Sequence, residues 1–157
     1  MVRFSPPTEA SLLNNLIEHG EKMSKYVAAY GAIFIVMLAI DMLWLGVIAK
    51  PLYQRGIGHL MAEKPNLVAA GLFYVIFPIG LMFFAVAPNA TVPDWRAVLI
   101  SAALFGFFAY ATYDLTNLAL MKNWPIGLSI IDVAWGTFAS TVAAGAGKFV
   151  LDRFANG

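Results

Sequence analysis

The sequence predicts an all-α fold, an integral membrane four-helix bundle with short interfacial helices, and three observations carry that prediction. The 157 residues are 61% hydrophobic and only 12% charged, against about 45–50% apolar and about 25% charged in soluble domains. A chain this long makes one ordinary domain, and small domains bury too little of their surface to hide such a composition from water. The mean hydropathy of +0.75 is concentrated in four stretches, each long enough to supply the roughly 20 apolar residues that cross a bilayer. A water-soluble fold is excluded.

The first 25 residues are polar and read as a surface segment ahead of a membrane domain of residues 26–157. After Ser5-Pro6-Pro7, Thr8 is placed to cap a short helix that carries Leu12, Leu13, Leu16 and Ile17 on one side and lies on the membrane. A solvated tail is the alternative. No obvious cleavage site precedes the first apolar run, so a removed signal peptide is not expected.

The spans are residues 26–48, 67–87, 97–121 and 126–151. Lys50-Pro51, Lys64-Pro65-Asn66, Pro88-Asn89 with Pro93-Asp94, and Lys122-Asn123-Trp124-Pro125 punctuate them. Between the first two, Leu52, Tyr53, Gly56, Ile57, Leu60 and Met61 repeat at helical spacing, with Gln54, Arg55, Gly58 and His59 opposite. That rhythm predicts an interfacial helix over Pro51 to Glu63. The fourth span is rich in small residues (Gly136, Ser140, Ala143, Gly145, Gly147), as close helix packing in lipid requires. Trp95 and Trp124 read as interface anchors.

Several functions fall away on composition. With no cysteine, disulfides, iron–sulfur clusters and thiol catalysis are excluded. His19 and His59 lie outside the apolar stretches, which argues against haem or a di-iron centre. No metal or other cofactor is expected. A net charge of +1 carries no polyanion-binding signature, so nucleic acid is not an expected partner.

The chemistry lies in three carboxylates that interrupt the spans. Asp41 is seven residues before the end of the first span, Asp114 seven before the end of the third, and Asp132 six after the start of the fourth. Because the chain alternates direction, all three count inward from one membrane face, roughly 9–10 Å deep. Tyr74 joins them from the second span. Asp41 with Trp44, and Asp132 with Trp135, are three residues apart, so each acid is expected to share a face with an indole donor. The two segments share the pattern Ile-Asp-x-x-Trp on helices of opposite direction, as an inverted repeat would. Tyr110, Asp114 and Asn117 form a polar stripe flanked by Tyr113 and Thr116, and Ser129 sits one turn before Asp132. Lys122 and Arg55 are long enough to reach the mouth of such a cluster.

A carboxylate at this depth costs at least about 2.5–3.5 kcal/mol, so it faces a bundle interior or a wet cavity. Carboxyls gathered in low dielectric are not all ionised together, so at least one is expected to hold a proton near neutral pH. The expected ligand-binding set is Asp41, Trp44, Tyr74, Tyr110, Tyr113, Asp114, Asn117, Ser129, Asp132 and Trp135, with Asp114, Asp132 and Asp41 the catalytic candidates. The plain alternative is that the acids hydrogen-bond helices together and the two tryptophans pack.

Asp41-Met42-Leu43-Trp44-Leu45-Gly46, Tyr113-Asp114-Leu115-Thr116-Asn117-Leu118-Ala119, Lys122-Asn123-Trp124-Pro125 and Asp132-Val133-Ala134-Trp135-Gly136 occur in that order. In these motifs the chain resembles a bacterial membrane-protein family catalogued as domain of unknown function 2177. The resemblance spans about Lys25 to Ala144, and the polar segment before Lys25 looks like an addition to it. It implies a multi-pass protein with four spans in the bacterial inner membrane, and it carries no catalytic residue over. Arg3, Lys22, Lys25, Arg96, Lys148 and Arg153 lie on the side of the termini, against Lys50, Arg55, Lys64 and Lys122 opposite. Six against four favours cytoplasmic termini.

Three functions remain open. The first is a protein that binds or translocates an apolar or amphipathic molecule with proton exchange, attractive as a homodimer because four spans are few for a transport path. The second is a membrane-embedded enzyme on a lipid or isoprenoid, with Asp114 and Asp132 as acid and base. The third is an accessory subunit of a larger membrane complex. The expected partners are membrane lipids, an apolar small molecule, and a second copy or other subunits.

Overall fold

The computed structural model describes residues 8–155, and among these all regular structure is helical. Arg3 and Ser5-Pro6-Pro7 lie outside the described residues. The described residues form five α-helices: α1 (Glu9–Leu43), α2 (Lys50–Ile57), α3 (Leu67–Leu81), α4 (Trp95–Leu120) and α5 (Ile126–Ala155). Wider π-helical turns extend α1 over Trp44–Ile48 and α3 over Met82–Val86. Among the described residues, four helices are long and apolar enough to cross a membrane: Glu9–Ile48, Leu67–Asn89, Trp95–Leu120 and Ile126–Phe154. The fold is an all-α membrane bundle.

The helix starts follow from local chemistry. Thr8 Oγ1 accepts from the Ser11 N–H, Asn66 Oδ1 from Val68 and Ala69, and Asp94 Oδ1 from Arg96. Each satisfies donors that a helix start leaves unpaired. The turn from α4 into α5 is short because Asn123 adopts φ 59°, a left-handed conformation that asparagine tolerates better than most residues.

Two expectations about these elements are corrected. Instead of a separate surface helix before the first span, one helix runs unbroken from Glu9 through Tyr26 to Leu43. With its π turn it is about 60 Å long, twice the roughly 30 Å hydrocarbon core, so its first half projects beyond the bundle. Nothing between Ala10 and Ser24 breaks a helix, since the segment holds no proline and its one glycine, Gly20, costs only about 1 kcal/mol of helix propensity. The interfacial helix is shorter than its sequence rhythm implied: α2 ends at Ile57 and a single 3-10 turn follows over Gly58–Leu60. Gly56 and Gly58 weaken the helix there, and Gly56 docks on α5, where a Cβ would stand 3.2 Å from the Pro125 ring.

α5 is the centre of the bundle, packed along both α4 and α1. Its small residues allow this. A Cβ on Gly136 would collide with the Tyr110 ring of α4, and one on Gly147 would press into Ile33 of α1. Ser140, Ala143 and Ala144 are fully buried, with Ala29, Ile33, Met37, Leu81, Val98 and Ala102 around them. This close-packed core fills the half of the bundle nearer the termini. Its end is fastened by Lys148, whose Nζ donates to Asp152 Oδ1 at 2.7 Å and to the Ala90 carbonyl at 3.2 Å. The Trp95 indole donates to the other Asp152 oxygen. Lys148, counted above among the cations on the side of the termini, is therefore 1% exposed and ion-paired.

The opposite half is looser. α3 carries Pro78, which cannot donate to the Tyr74 carbonyl and disturbs the helix at that turn. The first three turns of α3 expose Leu67, Val68, Leu72 and Ile76. A gap is left between α3 and α4 in the half of the bundle where the carboxylates lie.

Candidate functional site

All three aspartates are buried: Asp41 is 2% exposed, Asp114 0% and Asp132 6%. Two of them meet in one cavity. A bay of about 270 Å³, enclosed by α1, α2, α3, α4 and α5, is lined by Asp41 and Asp132. Six aromatic rings complete its wall: Trp44, Tyr53, Phe73, Tyr74, Tyr110 and Trp135.

Each carboxylate has its own neutral donor. The Trp135 indole of α5 donates to Asp41 Oδ1 across the helix pair at 2.9 Å, and the Tyr74 hydroxyl of α3 also lies against Asp41. Asp132 accepts from the Tyr53 hydroxyl of α2. Burial pushes the Tyr53 phenol pKa up, and the Asp132 carboxylate beside it acts in the same direction. The Trp44 and Trp135 rings are stacked, with centroids 4.3 Å apart and planes 4° from parallel. The expected pairing of each acid with the indole three residues along its own helix is therefore replaced by pairing across helices. The reciprocal bond, Trp44 to Asp132, is not made. The Trp44 Nε1 lies near the Tyr53 hydroxyl but outside bonding geometry, and is buried without a partner.

Asp114 stands apart from this bay. It lies in the floor of a bilayer-facing groove of about 620 Å³ between α4 and α5, with Ser129 on the facing wall and Phe107, Leu115 and Ile130 around it. The Ser129 hydroxyl and the Trp124 indole are near enough to act on it electrostatically. Neither carboxylate oxygen has a partner in bonding geometry, however, because the indole donates to Ser129 instead, at 3.0 Å. Trp124, expected as an interface anchor, is 8% exposed.

The single expected cluster is thus divided, and helix geometry gives the reason. Ser129, Asp132 and Trp135 step by three along α5, and each step turns about 60° short of a full revolution. Over two steps the direction changes by about 120°, so Trp135 faces α1 while Ser129 faces the far side of α4. The stripe of Tyr110, Asp114 and Asn117 lies on the face of α4 that meets α5, and its side chains go to either flank. Tyr110 crosses Gly136 into the bay, whereas Asp114 turns into the groove. Asn117 Nδ2 is buried without a partner. Tyr113 is 54% exposed, packed edge-on against Trp124, and lines the gap between α3 and α4.

Tyr53 was not among the expected site residues. Its place on the apolar face of α2 was legible, but nothing in the sequence told which buried group that face would meet. The cations expected at the mouth do not line the bay: Arg55 Nε donates to the Pro51 carbonyl of its own helix, and Lys122 is exposed. Among the described residues, no three His, Cys, Asp or Glu side chains gather closely enough to hold a metal ion.

Two further spaces adjoin the bay. Tyr53 and Leu45 also line a cavity of about 810 Å³ beneath the 58–65 segment, at the membrane face that carries α2. Phe73, Tyr110 and Asp132 also line the gap between α3 and α4, about 380 Å³, which opens sideways. Toward the termini lies the packed core, with a separate groove of about 310 Å³ between α1 and the end of the second span that shares none of the bay's lining residues.

No curated protein and no solved structure matches the chain. The sequence model of one family, described as "Predicted membrane protein (DUF2177)", matches residues 26–149. That range holds the first span from Tyr26 onward, the second and third spans, the fourth as far as Phe149, both carboxylates of the bay and the Asp114 groove, and the chain belongs to this family of membrane proteins.

Proposed function

We propose that the protein binds an apolar or amphipathic molecule in the intramembrane bay and exchanges a proton with it. The observation that carries this reading is the pair of carboxylates on one small aromatic cavity that adjoins both a membrane-face cavity and a sideways gap. A buried carboxylate is stabilised either by its own proton or by a donor group of the occupant, so occupant and proton exchange at Asp41 and Asp132. Acyl or prenyl chains reach the bay through the gap between α3 and α4, and polar groups reach it past Tyr53. The packed core beyond Asp41 closes the other direction, so translocation requires helix movement or a second copy of the chain. We place the protein in a bacterial inner membrane with cytoplasmic termini, on a Lys and Arg bias of five against four once the buried Lys148 is set aside.

The test is gentle purification from the native membrane with mass spectrometry of what comes with the protein, beside a folded Asp41→Asn variant. A stoichiometric apolar molecule present with the parent and lost from the variant is the expected result. Bulk lipid alone in both, with equal stability, overturns the proposal. A second reading is favoured by the unlike partners of the two acids. Asp132 accepts from a phenol, which relays protons, whereas Asp41 accepts from the Trp135 indole, which does not, with the Tyr74 phenol beside it. That asymmetry suits an acid–base enzyme acting on a lipid or isoprenoid. Chemical conversion of the co-purified molecule by the parent but not by Asp132→Asn separates this from binding alone.

A further inference from the structure

We infer that the polar group this bay accepts is an organic cation: the head of an amphipathic amine or quaternary ammonium. This rests on the bay being a ligand site, and it names the ligand's chemistry from what lines the cavity. Two carboxylates from different helices face the same space of about 270 Å³. Their partners are an indole and two phenols, all neutral donors. Among the described residues, no Lys, Arg or His lines the cavity. The negative charge is therefore hydrogen-bonded but uncompensated, and in low dielectric an uncompensated charge is costly. An occupant that carries a positive charge removes that cost. A neutral occupant does not, and an anionic one adds to it.

The rest of the wall points the same way. Aromatic rings attract cations through their faces, more strongly when the pair is desolvated, and aromatic cages are the known means of holding quaternary ammonium groups. All the non-carboxylate wall except Leu45 and Ala70 is aromatic. The apolar tail of such a ligand leaves between α3 and α4, where Phe77, Ala109 and Tyr113 line a sideways gap into the bilayer. The ligand's shape is thus a compact cationic head on an apolar chain.

Cation and proton compete for the same two carboxylates, so binding strengthens as pH rises. The groups that face these carboxylates are Tyr53 from α2, Tyr74 from α3 and Tyr110 from α4, and Asp114 acts on Asp132 through space. An ordinary phenol stays neutral below about pH 10, so the carboxylates are the groups whose proton the cation displaces.

The experiment is calorimetric titration of the full chain in lipid nanodiscs with three probes of one chain length: octyltrimethylammonium, octan-1-ol and octyl sulfate. Octyltrimethylammonium is expected to bind saturably at pH 8, at least tenfold tighter than octan-1-ol. Its affinity is expected to fall at least tenfold by pH 5, and Asp41→Asn and Asp132→Asn to weaken it at least tenfold each. Glu18→Gln, on the exposed first half of α1, is expected to leave it unchanged. If octan-1-ol binds saturably and as tightly, or octyl sulfate tighter, the cation inference is overturned while the bay remains an amphiphile site. If none of the three binds saturably, the reading of the bay as a ligand site fails as well. The pH series on the unaltered protein decides the matter even if a variant does not fold.

Discussion

Replacing Gly106 by alanine tests the helix contact on which the whole site depends. Gly106 of α4 faces the Gly136 carbonyl and the Ser140 side chain of α5, so a methyl group there overlaps both, with Ser140 Cβ at 2.7 Å. Carbon–carbon contacts are comfortable at about 3.5–4.0 Å, so the helices must separate by about 1 Å or the new methyl must be strained. The obstacle includes a backbone carbonyl, which does not rotate away. Overpacking of this kind costs about 1–3 kcal/mol. Alanine also raises helix propensity over glycine by up to about 1 kcal/mol, and a control removes that contribution. Gly31→Ala in α1 gains the same propensity but meets nothing within 4 Å. The difference between the two variants in reversible unfolding, measured by circular dichroism in mixed micelles, is the steric cost alone. Gly106→Ala is expected to be less stable than Gly31→Ala by about 1–3 kcal/mol. If the two agree within about 0.5 kcal/mol, α4 and α5 do not meet at Gly106, and the register that brings Tyr110 and Asp132 into one bay is wrong.

Three further outcomes follow from the same structure. Asp114→Leu is expected to stabilise the protein by at least about 1 kcal/mol in the same unfolding assay, because both buried oxygens lack partners and the adjoining groove has room for the larger side chain; destabilisation would mean that Asp114 has a partner. Asp152→Asn is expected to cost about 2 kcal/mol by leaving the Lys148 cation buried, less than the about 3–5 kcal/mol of fully enclosed pairs because Asp152 is 32% exposed. Lys148→Met in that background restores most of the loss, and a failure to restore it would locate the cost elsewhere. The Tyr53 phenol stays neutral in the folded protein but ionises above about pH 10 when unfolded. Its contribution to stability is therefore complete below pH 10 and lost as pH rises further, at up to about 1.4 kcal/mol per pH unit. Comparing Tyr53→Phe with the parent between pH 9 and 11 isolates that slope, and parallel profiles would place Tyr53 in water.

Much of the architecture was legible in the residues. The starts of α3 at Leu67 and α5 at Ile126 coincide with the expected boundaries, since proline and polar residues stop an apolar run sharply. Thr8 caps α1 as its position implied. The small residues of the fourth span do serve close packing, with Gly136 beneath Tyr110 and Gly147 against Ile33. The site was legible only in part. Asp41, Trp44, Tyr74, Tyr110, Asp132 and Trp135 do line one cavity, whereas Asp114 and Ser129 line another. Tyr113 lines the sideways gap, and Tyr53 joins the bay from outside the spans.

Sequence by itself determined that this chain is a helical membrane protein, where α3 and α5 begin, and that carboxylates sit well inside the apolar layer. Composition, periodicity and capping are properties of single segments, and each is read without knowing any neighbour. Tertiary structure alone decided which neighbour each buried group meets. Helices turn about 100° per residue, so a spacing of three that seems to lie on one face has moved by 120° after two steps. That rotation, with the glycines that let α4 and α5 touch, sends Asp41 and Asp132 into a shared bay and Asp114 to the other side.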